Sequence, residues 1–242
     1  PHTIDNDSAI TDHTPLYGSA ARYIAATTAE VGVDVKSLPI HVCVIEAMGR
    51  NAGWITAASA LARKKPGDAP HLIYLPERTF DIEKFTAKVR KLLTRKDVVV
   101  VAVSEGIRIQ DGRYVSELGS TSDYVDAFGH KQLTGTASYL ANVIHRDIGC
   151  KTRAVEFSTL QRSAAHLASR VDVNEAFMVG GAAVKAADEG DSGKMVVIDR
   201  VSDDPYQCAT GIYDVHKIAN GEKMVPREWI TKDGTYVTEE FI

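Results

Sequence analysis

The sequence predicts an α/β fold with doubly wound, mainly parallel sheets, and two observations carry that expectation. β-rich runs alternate along the chain with patterns of helical period, the order that builds a sheet with helices packed on it. The strands are continuous apolar runs, as in Val98-Val99-Val100-Val101-Ala102-Val103, and a strand apolar on both sides belongs in a sheet covered on both faces. A chain of 242 residues can bury a sizeable core, as one large domain or two smaller lobes.

The predicted strands are Ile40–Ile45, His71–Leu75, Asp97–Val103, Thr152–Phe157 and Met195–Val201. Helices are expected over Ser19–Val31, Asn51–Lys64, Asp81–Arg95, Gln132–Asp147, Gln161–Arg170 and Asn174–Ala187. Asp81 is placed to cap the third of these, whose Phe85, Val89, Leu92 and Leu93 make one apolar stripe. Glu83 lies in its positively polarised first turn. From Ile107 to His130 the text turns polar, with a turn at Asp111-Gly112-Arg113 and a loop expected over Ser116–Asp126. An acidic surface turn is expected at Gly190–Gly193, and no repeat or low-complexity tract interrupts the order.

Composition narrows the partners. With 28 Lys+Arg against 32 Asp+Glu and a net charge of -4, the chain presents no strong positive field for nucleic acid or an anionic membrane. The longest apolar run, Val98–Val103, is far short of the roughly 20 residues of a membrane span. No signal-peptide pattern starts the sequence, so a cytoplasmic protein is expected. Cys43, Cys150 and Cys208 lack metal-ligand spacing and read as reduced thiols. The chain opens at Pro1 on a polar motif with no element ahead of it, and it reads as a piece of something longer.

That motif, Thr3-Ile4-Asp5-Asn6-Asp7, sets two carboxylates two residues apart. In an extended segment they point the same way and can share a metal, or one can take a proton while the other supports magnesium. An Asx-rich turn is the plain alternative. Ligands of open parallel sheets bind beyond the carboxyl ends of the strands, and three such ends carry suitable groups. Met48-Gly49-Arg50 offers close backbone approach and a planar guanidinium for phosphate, or else a glycine turn with a surface arginine. Glu105 leaves the most apolar strand, where an unpaired charge is costly; sugar hydroxyls or a neighbouring arginine would satisfy it. Arg153 and Arg162, within and after the Thr152–Phe157 strand, are further phosphate candidates or ordinary strand-edge and helix-surface residues.

Thr3-Ile4-Asp5-Asn6-Asp7, Met48-Gly49-Arg50 with Gly53-Trp54, and Glu105-Gly106 stand in an order and spacing that resemble the phosphofructokinase family. The stretch Thr11-Asp12-His13-Thr14-Pro15 to Ala20-Ala21-Arg22-Tyr23 is most similar to its pyrophosphate-dependent bacterial branch. The resemblance covers nearly the whole chain. It implies two α/β lobes, the first incomplete here: residues 1–17 closing a phosphate-donor lobe, 18–160 forming a fructose 6-phosphate lobe, and 161–242 returning to the donor lobe and a tail. It implies phosphoryl transfer from pyrophosphate to the 1-hydroxyl of fructose 6-phosphate with Mg2+, in a homodimer or homotetramer.

By the same resemblance Asp5 is the base for the sugar hydroxyl, Thr3 and Ile4 belong to the substrate segment, and Asp7 supports the magnesium-bound phosphates. Met48, Gly49, Arg50 and Glu105 line the sugar site, and Arg153, Thr159, Gln161 and Arg162 surround its phosphate. No dedicated protein ligand set for a metal is implied. Three departures bear on these roles. His2 stands where ATP-using members carry Gly and pyrophosphate-using members Lys; its bulk and charge favour pyrophosphate. Thr159 replaces a common histidine, and His41 an arginine that reaches a neighbouring subunit's sugar phosphate. The family's donor-phosphate loop and a principal magnesium aspartate precede Thr3, so these 242 residues alone are expected not to turn over. They are also expected to be poorly stable and prone to association through the helices after Gln161. An ATP-dependent kinase is the nearest alternative, and a non-catalytic sugar-phosphate-binding subunit the next. A dinucleotide oxidoreductase lacks its G-x-G-x-x-G turn here.

Overall fold

The structure, a computed structural model, describes residues 3–119 and 135–242. Four strands, β1 (Val42–Ala47), β2 (Leu72–Tyr74), β3 (Val99–Ser104) and β4 (Thr152–Glu156), form a sheet in the order β2-β3-β1-β4. Every neighbouring pair is parallel. The helices are α1 (Tyr17–Ser37), α2 (Trp54–Ala57), α3 (Ile82–Leu93), α4 (Thr136–Ile148), α5 (Leu160–Ser163), α6 (Arg170–Asp188) and α7 (Val215–Ile218).

Alternation along the central strands builds two cores. Val42, Val44, Val99, Val101 and Val103 pack with Phe85 and Val89 of α3 and Leu140 and Ile144 of α4. Cys43, Ile45, Ala47 and Val100 pack on the other face with Ala20, Tyr23 and Ile24 of α1. Both faces are thereby covered, as the unbroken apolar runs require, and the doubly wound α/β class is borne out.

The fifth strand departs from expectation. β5 (Lys194–Asp203) does not join the parallel sheet; it pairs antiparallel with β6 (Tyr206–Asp214), which the sequence reading left out. Only Asp204 and Pro205 separate the two strands, too short a connection for anything but a hairpin. β6 was hard to see because Gln207, Thr210 and Gly211 dilute its apolar content.

Helix bounds also moved. The expected Asn51–Lys64 helix is α2 followed by a 3-10 stretch at Ala58–Ala62. Gln161–Arg170 breaks at Ala164, whose ψ of 71° ends α5 before a 3-10 turn at Ala165–Leu167; the Gln161 side chain turns back to bond Met48 N–H and Ser158 C=O. Asp81 caps α3 as expected, its Oδ1 accepting from Lys84 N–H at 3.0 Å. A 3-10 turn occupies Val115–Leu118. The rest of the Ser116–Asp126 loop, and the start of the Gln132–Asp147 helix, fall largely outside the described residues. Val173, Phe177 and Val184 of α6 are exposed, an apolar face of the kind expected after Gln161.

Candidate functional site

β1, β3 and β4 end side by side, with Ala47 beside Ser104 and Glu46 beside Glu156. The loops beyond them touch backbone to backbone. Gly49 has φ +129°, and a Cβ there would lie 2.5 Å from Ala52 O; a Cβ on Gly106 would lie 1.8 Å from Arg50 O. Neither position accepts a side chain. Ser104 Oγ donates to Gly49 O and accepts from Gly106 N–H at 3.1 Å. Glu105 Oε1 accepts from Gly49 N–H at 3.3 Å, and Gln161 Oε1 from Met48 N–H at 3.1 Å. Three strand-end loops are thereby stitched around one opening.

The Thr3–Asp7 segment lies over this opening as a bend, not as the extended pair of alternating residues considered from sequence. Asn6 sits in the left-handed region at φ 55° and is buried. Its Oδ1 accepts from Thr14 N–H at 3.1 Å and from Lys223 Nζ at 3.2 Å. Thr14 Oγ1 donates to Thr3 O at 2.6 Å, and Asp5 N–H to Thr3 Oγ1 at 3.2 Å. An inward asparagine between two carboxylates is the local reason that both lie at the surface of the bend.

Burial dominates the electrostatics. It raises Asp5 to about 6, with Asp7 adding to the rise while Arg50 and Arg162 oppose it. Glu105 is raised to about 7, first by burial and then by Asp5, against the Gly49 N–H and Arg50. Asp7 is raised too, by burial. Poised carboxylates beside guanidinium groups suit proton abstraction next to an anionic substrate. The Asp5 and Asp7 pair could also accept a hard cation, which needs only one or two carboxylates when phosphates supply its other ligands.

Thr3, Ile4, Asp5, Asp7, Met48, Gly49, Arg50, Glu105, Gln161 and Arg162 belong to this region. A cavity of about 280 Å³ lined by Ile4, Leu16, Gln161 and Arg162 adjoins it. A larger cleft of about 540 Å³, between Arg78, Phe80 and Lys232, contains none of the expected residues. Arg153 stands apart: it is the second residue of edge strand β4, exposed and in register with Cys43. Thr159 is exposed just before α5. His41 lies at the opposite end of β1, accepting from Lys151 N–H, and His2 is outside the described residues.

Two residues escaped the sequence reading. Lys223 Nζ donates to Asn6 Oδ1, to Thr11 O at 3.2 Å and to Asp12 O at 2.6 Å; nothing local marks a lysine whose partners lie over 200 positions away. Glu46 is buried in β1, where its Oε2 accepts from Ala137 N–H at 2.8 Å and burial raises it to about 8. A carboxylate inside Val-Cys-Val-Ile-Glu-Ala was the available signal.

Comparison with known proteins gives a consistent match. The phosphofructokinase family matches residues 1–187. The chain is 44% identical over 99% of its length to a pyrophosphate–fructose 6-phosphate 1-phosphotransferase of Halomonas elongata, and 45% identical to that of Xanthomonas campestris. It spans 57% of each of these relatives. The solved pyrophosphate-dependent phosphofructokinase of Marinobacter aquaeolei superposes with a TM-score of 0.84 at 36% identity, over 99% of this chain and 56% of that one.

Proposed function

The chain belongs to the phosphofructokinase family, and from that premise we propose that it carries the sugar-phosphate site of an enzyme moving a phosphoryl group reversibly between pyrophosphate and the 1-hydroxyl of fructose 6-phosphate. The observation that carries this reading is Asp5, a half-buried carboxylate raised to about 6 and acted on by Arg50 and Arg162. Near neutral pH it is largely ionised yet basic enough to take the hydroxyl proton as the oxygen attacks. Arg50 and Arg162 hold the sugar phosphate with planar forks. Glu105, held by the Gly49 N–H, fixes sugar hydroxyls, and Thr3, Ile4 and Met48 complete the walls. Positioning and charge neutralisation supply most of what phosphoryl transfer needs.

Among the described residues no three His, Cys, Asp or Glu gather into a metal cage. Asp7, half-buried and raised by burial, with Asp5 nearby, fits magnesium held partly through substrate phosphates. When bound, the ion would neutralise charge on the transferred group. Pyrophosphate is favoured over ATP by the activity for which the relatives are named and by His2 in place of a small residue.

Arg153, exposed on edge strand β4 away from Asp5, would meet a sugar phosphate across a subunit contact, so a homodimer or homotetramer is part of the proposal. A cytoplasmic, glycolytic setting suits these substrates; among the described residues no helix is long and apolar enough to cross a membrane. The test is an assay of the full-length protein with fructose 6-phosphate and magnesium, offering pyrophosphate or ATP. Turnover with pyrophosphate alone, with D5N losing at least about a hundredfold in kcat while retaining sugar binding, is expected. Turnover with ATP alone would reassign the donor, and none with either would leave a binding subunit.

A further inference from the structure

Beyond the bend that carries Asp5 lies a second polar cluster with no assigned role. His13 Nδ1 is 2.7 Å from Asp12 Oδ2, and His13 Nε2 is 2.8 Å from Glu175 Oε2. Glu175, on α6, is buried, and its other oxygen accepts from Tyr206 O–H and from Cys208 Sγ at 3.4 Å, both on β6. Asp12 accepts from Arg200 of β5 twice, Nε to Oδ1 at 3.0 Å and Nη2 to Oδ2 at 2.9 Å. Arg200 also pairs with Asp203, and Lys223 Nζ donates to Asp12 O. Tyr206 and Cys208 donate to Glu175, and Asp12 is held below the usual carboxylate range despite its burial by bonds from Arg200 and His13. The His13 ring is held at both nitrogens, by Asp12 of its own segment and by Glu175 of α6.

The next residue transmits this arrangement. Thr14 holds Asn6 through its N–H and Thr3 through its hydroxyl, and these two residues bracket the Ile4-Asp5 pair. We propose that His13 is a positioning residue: its ring, clamped between Asp12 and Glu175, fixes Thr14 and through it the placement of Asp5. The clamp joins the bend to α6 and the β5–β6 hairpin. Its catalytic consequence rests on the function proposed above.

The experiment uses the full-length protein labelled with 15N-histidine, with H13Q assigning the signal. The ring-nitrogen signals of His13 are expected to be those of a hydrogen-bonded imidazole and to move in E175Q. In the phosphoryl-transfer assay H13Q should lose roughly tenfold or more in kcat with KM for fructose 6-phosphate within about threefold, the pattern of misplacement without lost binding. E175Q, which keeps an acceptor oxygen without the charge, should fall between wild type and H13Q. A His13 ring signal that E175Q leaves unchanged overturns the clamp, as does H13Q with wild-type kcat. If H13Q does not fold, the wild-type ring signal and E175Q decide the same question. A wild type without turnover would sink the proposed function instead, while the ring signal would still decide the clamp.

Discussion

Asp5 has two neighbours that favour its ionised form, Arg50 and Arg162, yet burial and Asp7 outweigh them and leave it near 6. The consequence for catalysis has a definite sign. Below that pH the carboxyl is protonated and cannot act as the base of the proposed reaction, so on that proposal kcat/KM in the sugar-phosphorylating direction should fall as pH drops through about 6. Removing the Arg162 charge with R162Q withdraws an influence that lowers Asp5, and the acid limb should move to higher pH. A pH–rate profile of both proteins reads this directly; a limb that stays in place would show that Arg162 does not reach Asp5. At this scale the sequence was informative where the signal is local. A carboxylate leaving an apolar strand marked Glu105, and a glycine before an arginine marked the phosphate candidate. The inward turn of Asn6 was not legible, because its partners Thr14 and Lys223 are fixed by the fold and not by its neighbours.

The same contrast holds for elements. α3 could be read at its start because its cap, Asp81, is the preceding residue. α1 could not: Leu16, at its N-cap in the left-handed region with φ 86°, has no side-chain oxygen to offer. Its cap comes from α6, where buried Asp172 accepts from Leu16 N–H at 3.0 Å and Ser19 N–H at 2.6 Å. The helix therefore begins at Tyr17 rather than Ser19, which no pattern within residues 17–37 discloses. D172A strips both orphan N–H groups of their acceptor and should cost about 1–2 kcal/mol, the range of a lost N-cap. D172N, retaining one acceptor oxygen, should lose less. Urea unfolding of the full-length proteins measures the difference, and equal stability of D172A and wild type would mean that solvent satisfies the start of α1. The parallel strands were legible for a different reason: apolar runs buried on both faces need no distant partner to identify them, whereas β6, mixed in composition, does.

Across the whole molecule the first residues are built into the last third of the chain. Asp12 N–H bonds Ile198 O at 2.8 Å, and Ile198 N–H bonds Thr11 Oγ1 at 3.0 Å. Lys223 N–H bonds Asp7 O at 2.7 Å. Lys223 Nζ closes this arrangement by facing Asn6, Thr11 and Asp12 together, near the Trp54 ring, at 5.7 Å from its centroid. Burial lowers this lysine to about 8, with Asp12 and Asp7 acting in the opposite direction, so the ammonium is kept by its acceptors more than by solvent. K223M preserves much of the side-chain volume while leaving Thr11 O and Asp12 O without their donor and Asn6 Oδ1 with the Thr14 N–H alone. Each buried polar group left unmatched costs roughly 1–3 kcal/mol; water reaching the site would bring the total toward the lower end. The melting temperature should fall, and kcat should fall with it because the bend holding Asp5 loses its anchor. A K223M protein that melts with the wild type but turns over more slowly would make the lysine a catalytic contact rather than an architectural one. One that matches the wild type in both would remove it from the account of the site.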